Sequence, residues 1–348
     1  MTLVMASCDV HEMPVIADSD VDVILDLQYD LSMPLYKELT YTRDPAGVEE
    51  TRASILSHDV RFIVNVYPAG TTAETRSANA PVRQFVFTDR SDLPLDRRLN
   101  LALPPGAWDI YVWTDFVDNN ATADRYYITD RFDSISLPEP SNYDAANECR
   151  QCFRGMTSIV AKHATTVDET NVTQSATIEM QRPLTRFEFI STDVEDFVRR
   201  IPELVGRGNS RSFTDDPVDS RALTRSDLSD FRVVLRYTAF TPSVYNIFTD
   251  KLTDSRTGMS SSSFMDICED GILLGFDYLL INNEESIANI AVEVYNSDNR
   301  LIASSPSIEV PVVRNKCTIL KSEFLSSISS GGVTVNPEFD GEYNIEIE

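Results

Sequence analysis

The chain has 348 residues, 42% hydrophobic and 24% charged, with 17 Phe and 13 Tyr, a composition that supports buried cores and argues against a disordered chain. Asp and Glu number 55 against 30 Lys and Arg, a formal charge of −25, so a phosphate backbone is repelled and nucleic-acid binding is set aside. The length suggests two domains, and no run of eighteen apolar residues provides a membrane-spanning helix.

At the start of the chain, Ala6 and Ser7 precede Cys8, the small-small-Cys pattern that precedes a lipid-carrying cysteine. Residues 1–5 supply only a stub of the apolar stretch and no Lys or Arg, so residues 1–7 read as the tail of a longer signal peptide. From this pattern alone Cys8 is either a lipidation site or an ordinary thiol. Asp18, Asp20 and Asp22 have calcium-loop spacing, but Tyr29 stands where the bidentate Glu is needed and Gly is missing at the sixth position. No metal site is expected there.

"DVDVILDLQYDL" (20–31) places Val21, Val23, Leu25, Leu27, Tyr29 and Leu31 on one face, opposite Asp22, Asp26, Gln28 and Asp30, and predicts a long half-buried strand. Further strands are predicted at 61–67, 83–88, 108–117 and 175–181, then at 185–191, 231–240, 271–281, 287–296, 307–313, 332–337 and 343–348. Ser297, Asp298 and Asn299 mark a hairpin. In "DVEDFVRRIPEL" (193–204), Val194, Phe197, Val198 and Ile201 recur at helical spacing. Residues 203–229 and 254–263 read as surface excursions. Many short strands with few helices predict an all-β protein of two tandem β-sandwiches, divided near residue 181.

Catalytic signals are thin. His11, His58 and His163 have no metal-ligand pairing, and no nucleophile elbow, phosphate loop or His-Glu-x-x-His motif occurs. The five cysteines fall at irregular spacing, and Cys149-x-x-Cys152 lacks both a second ligand pair and a parallel βαβ context. The chain is read as a non-enzyme without cofactor or metal. Trp108, Tyr111 and Trp113, and the pair Tyr126 and Tyr127, are either core aromatics or a platform for glycan stacking. A glycan-binding surface lipoprotein is therefore the alternative function.

Four segments, "CDVHEMP" with the later "MPLYKELTYTR", "LALPPGAWDIYVWTDFVD", "NYDAANECRQCFRG" and "QRPLTRFEFISTD", appear in the order found in lipid-anchored fimbrial subunits of Bacteroidetes. The ending from Val310 to Glu348 is similar to the fimbrillin ending. The chain thus resembles the anchor and accessory group of the fimbrillin superfamily. That resemblance implies two transthyretin-like sandwiches with a few short helices: residues 1–19 as signal remnant, lipidated cysteine and tether, then domains 20–181 and 182–348. It further implies a lipid on Cys8 that holds the protein at the outer membrane and exposes it at the cell surface, with other fimbrial subunits as partners.

Subunits of this superfamily polymerise by strand donation. The resemblance makes Tyr343, Ile345 and Ile347 candidates for a donated or capping strand, although the same residues also read as the last core strand. Val21, Val23, Leu25, Leu27 and Tyr29 become a first strand that an anchor retains. Arg43 and Arg52 lie where a maturation cut would fall, but nothing marks either, so a non-processed anchor or accessory subunit is expected, with a tip subunit as the next choice.

Overall fold

A computed structural model of the chain describes residues 20–40, 58–91, 95–140, 143–163, 174–200, 223, 225–326, 333–335 and 345–347. The first half contains β1 (Val21–Tyr29), β2 (Leu35–Thr40), β3 (His58–Pro68), α1 (Ala73–Ala78), β4 (Arg83–Arg90), β5 (Arg97–Leu103), β6 (Gly106–Asp118), β7 (Ile135–Ser136), β8 (Phe153–Ala161) and β9 (Gln174–Met180). The second half begins with β10 (Leu184–Ser191), α2 (Val194–Arg200), α3 (Arg225–Leu228), β11 (Arg232–Tyr237), β12 (Thr241–Asn246), β13 (Lys251–Arg256) and β14 (Ser260–Phe264). It continues with β15 (Asp266–Cys268), β16 (Gly271–Leu280), β17 (Ser286–Tyr295), β18 (Leu301–Ser304), β19 (Ile308–Val312), β20 (Cys317–Ser322), β21 (Val333–Val335) and β22 (Ile345–Ile347). The chain is all-β with short helices, as its patterning predicts.

In the first half a three-stranded sheet, β5-β1-β9, packs on a four-stranded one, β4-β3-β6-β8. Alternation in β1 buries Val21, Val23, Leu25 and Leu27 and leaves Asp22 and Gln28 outside, which a period of two requires of a sheet with one wet face. Strands β3 and β6 are instead buried along nearly their whole length. One face of this pair, with Phe62, Val64, Ile110 and Val112, meets the β1 sheet. The other carries Arg61, Tyr67, Tyr111 and Trp113, and second-half residues cover it: Phe248 lies 5.3 Å from Tyr67 and 5.0 Å from Tyr111, and Tyr245 lies 6.3 Å from Trp113, between ring centroids.

The second half stacks β15-β16-β10-β20-β2 against β14-β11-β17-β18, with β19 also on β17. Phe187 and Phe189 of β10 meet Tyr237 and Phe324 edge to face. Among the described residues, two strand ladders cross residue 181. Strand β2 follows β1 by five residues yet pairs in parallel with β20, from Leu35↔Cys317 to Thr40↔Lys321, and β7 pairs with β12.

One expectation is corrected. Residues 254–263 are not a surface excursion: β13 pairs with β12, and β14 pairs with β11 through Ser260–Phe264. A serine run has little strand propensity of its own, and the ladder partner supplies the conformation. The helix is confirmed over Val194–Arg200, while Ile201 and most of 203–229 lie outside the described residues. Strands β2, β5, β8, β12 and β20 were not anticipated. β8 contains Gly155 and β12 contains Pro242, whereas β5 alternates buried Leu99, Leu101 and Leu103 with exposed Arg98, Asn100 and Ala102 and so carries a signal that sequence reading passes over.

Gly271 opens β16 at φ +147°, and a Cβ there would stand 2.1 Å from the Ser191 carbonyl oxygen. Both the backbone region and the space exclude a side chain. Gly271→Ala is expected to cost at least about 2 kcal/mol, measured as a lower urea midpoint; an unchanged midpoint would contradict this packing.

Candidate strand-assembly site

The predicted first strand sits in the middle of its sheet. On one edge β1 pairs antiparallel with β5, from Val21↔Leu103 to Leu27↔Arg97, and on the other it runs parallel to β9, from Val23↔Gln174 to Tyr29↔Met180. Its N–H and C=O groups are therefore engaged on both sides, and a strand in that position offers no template to another chain. Tyr29, at its end, shares a 2.7 Å hydrogen bond with the Thr114 hydroxyl and packs edge-on to Phe153 at 5.0 Å.

The link from β1 to β2 is held by one buried guanidinium. Arg182 Nη1 donates to the carbonyls of Asp30 (3.1 Å) and Ser32 (2.9 Å) and to Asn315 Oδ1 (2.9 Å), and Nη2 donates to the Leu31 carbonyl (2.9 Å). Nε donates to Gln151 Oε1 at 3.1 Å, and the group lies 4.8 Å over the Phe153 ring. Five donors in a rigid plane suit arginine to gathering several carbonyls. Asp30 tightens the same turn: hydrogen bonds from the Ser32 hydroxyl and N–H hold its carboxyl below the usual carboxylate range.

A second polar cluster joins the segment 143–150 to the second half. Arg150 pairs with Asp277 at 2.8 Å, both fully enclosed, and Asp277 also accepts the hydroxyls of Tyr143 (2.6 Å) and Tyr237. Arg186 donates to Glu148 and Glu188, each at 2.7 Å, and its guanidinium lies 4.1 Å over Phe276. Burial of this kind is tolerated only when every charge has partners, and here each has.

The other predicted sites fall as follows. Cys8 and Tyr343 lie outside the described residues, as do Arg43 and Arg52. Ile345 and Ile347 belong to β22, which pairs with β21 as Val333↔Ile347 to Val335↔Ile345. The glycan-stacking set is corrected: Trp113 is 0% and Tyr111 3% exposed, Tyr126 and Tyr127 are buried, and Trp108 is half-buried with its indole N–H on the Pro104 carbonyl at 2.8 Å. These rings share no exposed plane: Tyr111 and Trp113 face the second half, Trp108 lies on the opposite face of β6 with Ile110 and Val112, and Tyr126 and Tyr127 are buried beyond the strand's end. Cys149 and Cys152 form no disulfide and have no exposure; burial pushes Cys149 up to about 12 and raises Cys152 further. His58 shares a 2.8 Å hydrogen bond with the Tyr126 hydroxyl. Among the described residues no group of three or more His, Cys, Asp or Glu is placed to hold a metal.

Sequence reading missed Arg182, Arg150, Glu148 and Asp277. A signal was available for Asp277, a lone acid within the apolar run "GILLGFDYLLI". The other three lie inside "NYDAANECRQCFRG" and "QRPLTRFEFISTD", the stretches that carried the family resemblance.

The chain belongs to a family of unknown function, DUF6562, whose model matches residues 22–348. No curated protein matches it. Among solved structures it is similar to a candidate cell adhesion protein of Bacteroides eggerthii, at 11% identity and TM-score 0.45 over 95% of each chain. It is also similar to a candidate adhesin of Bacteroides ovatus, at 10% identity and TM-score 0.42 over 94% of this chain and 93% of that one. A fimbrial anchor protein of Porphyromonas gingivalis is similar at 11% identity and TM-score 0.34 over 82% of each chain.

Arg182→Ala strands several buried carbonyls and is expected to cost about 3 kcal/mol or more. In hydrogen exchange, residues 30–34 are expected to lose protection ahead of β3; loss spread evenly over the sheet would reject a local clamp. Iodoacetamide on the folded protein is expected to leave Cys149 and Cys152 unmodified at pH 8 and to label both in denaturant, read by peptide mass.

Proposed function

We propose that this member of the DUF6562 family is a structural, non-catalytic subunit of a cell-surface fimbrium, in an anchor or accessory position. The observation that carries the reading is the retained first strand: β1 is paired on both edges by its own chain, and its exit is tied down by Arg182. In assembly by strand donation, a subunit that keeps its own strand has no vacancy at that place to receive a neighbour's. Such a subunit ends a fibre on that side. The ordered resemblance to fimbrillin-superfamily segments supports the same role.

In this reading a lipid on Cys8 attaches the protein to the outer membrane. Each buried methylene of such a lipid contributes about 0.8 kcal/mol, and residues 9–19 serve as a tether. Other fimbrial subunits are the partners. A non-catalytic role agrees with inert, buried Cys149 and Cys152.

Immunoblots of native cell envelopes, boiled and unboiled, test the proposal. A heat-labile high-mass band or ladder is expected, with Cys8→Ala releasing the protein from the membrane fraction. A single band of monomer mass in both lanes would reject the fimbrial role.

A further inference from the structure

Strand β17 has a stretch of edge that no described strand pairs with. Its first residues pair with β19 on one side, as Ser286↔Val312, Ile287↔Pro311 and Ala288↔Val310. On the other side β11 pairs with β17 only as far as Tyr237↔Ile290, followed by one further bond from the Thr238 N–H to the Asn289 carbonyl at 3.0 Å. The chain then turns through Ala239 and Phe240 into β12, which pairs with β13 and β7. Because the Asn289 carbonyl points toward β11, period-two alternation aims the N–H and C=O of Ile287 the same way. No described strand runs there to meet them. Pro311, which has no N–H to donate, stands opposite Ile287 on the β19 side, a position this alternation leaves without a ladder bond to β17.

The gap is a pocket of about 160 Å³ whose described lining residues all belong to the second half. Its floor is apolar, formed by Leu279, Ile281 and Val312, and its lips are Phe240 and Ile287, 76% and 57% exposed. Glu284 and Glu285 line the rim, in a chain of net charge −25.

We propose that this notch binds an extended segment of a partner polypeptide in which a large apolar residue is flanked by Lys or Arg. The segment's main chain pairs with Ile287, the apolar side chain enters between Phe240 and Ile287, and the basic side chains meet the carboxylate rim. An open strand edge selects an extended backbone, and the rim selects its charge. The inference does not rest on the fimbrial role, since β1 and its clamp are not involved.

The test is fluorescence anisotropy of a labelled hexapeptide, Lys-Val-Lys-Leu-Lys-Val, titrated with the full chain. Saturable binding is expected. Phe240→Asp, at a solvent-exposed position, and Ile287→Pro are each expected to weaken it at least tenfold, as is N-methylation of the peptide's central residues, which leaves the protein untouched. Glu284→Lys is expected to weaken it severalfold, and less at high salt. Three results would overturn the proposal. One is an absence of saturable binding; another is binding that survives both N-methylation and Phe240→Asp, which would be plain charge attraction. The third is a sedimenting dimer that Phe240→Asp converts to monomer, which would make a second copy of this chain the occupant.

Discussion

The pairing of β1 on both edges is the constraint on which the rest of the first half depends. Val23, Leu25 and Leu27 reach the core only while β5 and β9 flank them, and removing β1 would leave the four-stranded sheet facing two separated strands. β1 is also the first described strand, and its pairing with β9 joins residues more than 140 positions apart, Val23 with Gln174 to Tyr29 with Met180. Such contacts close large loops, and their formation is entropically slow. Once formed, the ladder holds β1 between two neighbours of its own chain.

Arg182 converts that ladder into a junction. Three consecutive carbonyls, of Asp30, Leu31 and Ser32, converge on one side chain, and the strand that follows enters the second-half sheet beside β20. The first described stretch, residues 20–40, thus belongs to both halves. The buried Arg150–Asp277 pair, with Tyr143 and Tyr237 on the carboxylate, fastens the same two halves from another segment. Buried ion pairs are weak sources of net stability but costly to break, so they fix how the surfaces meet more than how tightly.

How much was legible follows from period and partner. The alternation of 20–31 and the apolar strings at 271–281 and 287–296 carry their own signal, and β1, β16 and β17 appear where it places them. Ser260–Phe264 has no such signal and is a strand only because β11 lies beside it. The string at 108–117 predicts the strand that forms, β6, but leaves its two faces undetermined. Alternating aromatics suit a wet platform or a second dry face equally well, and only the arrival of Tyr245 and Phe248 from the second half decides between them.

The sequence by itself determined an acidic all-β chain, the place and inward face of its first strand, and the absence of familiar catalytic motifs, because composition and period-two alternation are local quantities. Tertiary structure decided that β1 is central, that β2 crosses to the other half, that Trp113 and Tyr111 are core, and that no described strand pairs with the start of β17 on its β11 side. Each of these depends on which distant segment supplies a neighbour. Hydrogen-bond ladders and face-to-face packing are made between positions the chain does not place together, so no local pattern can specify them.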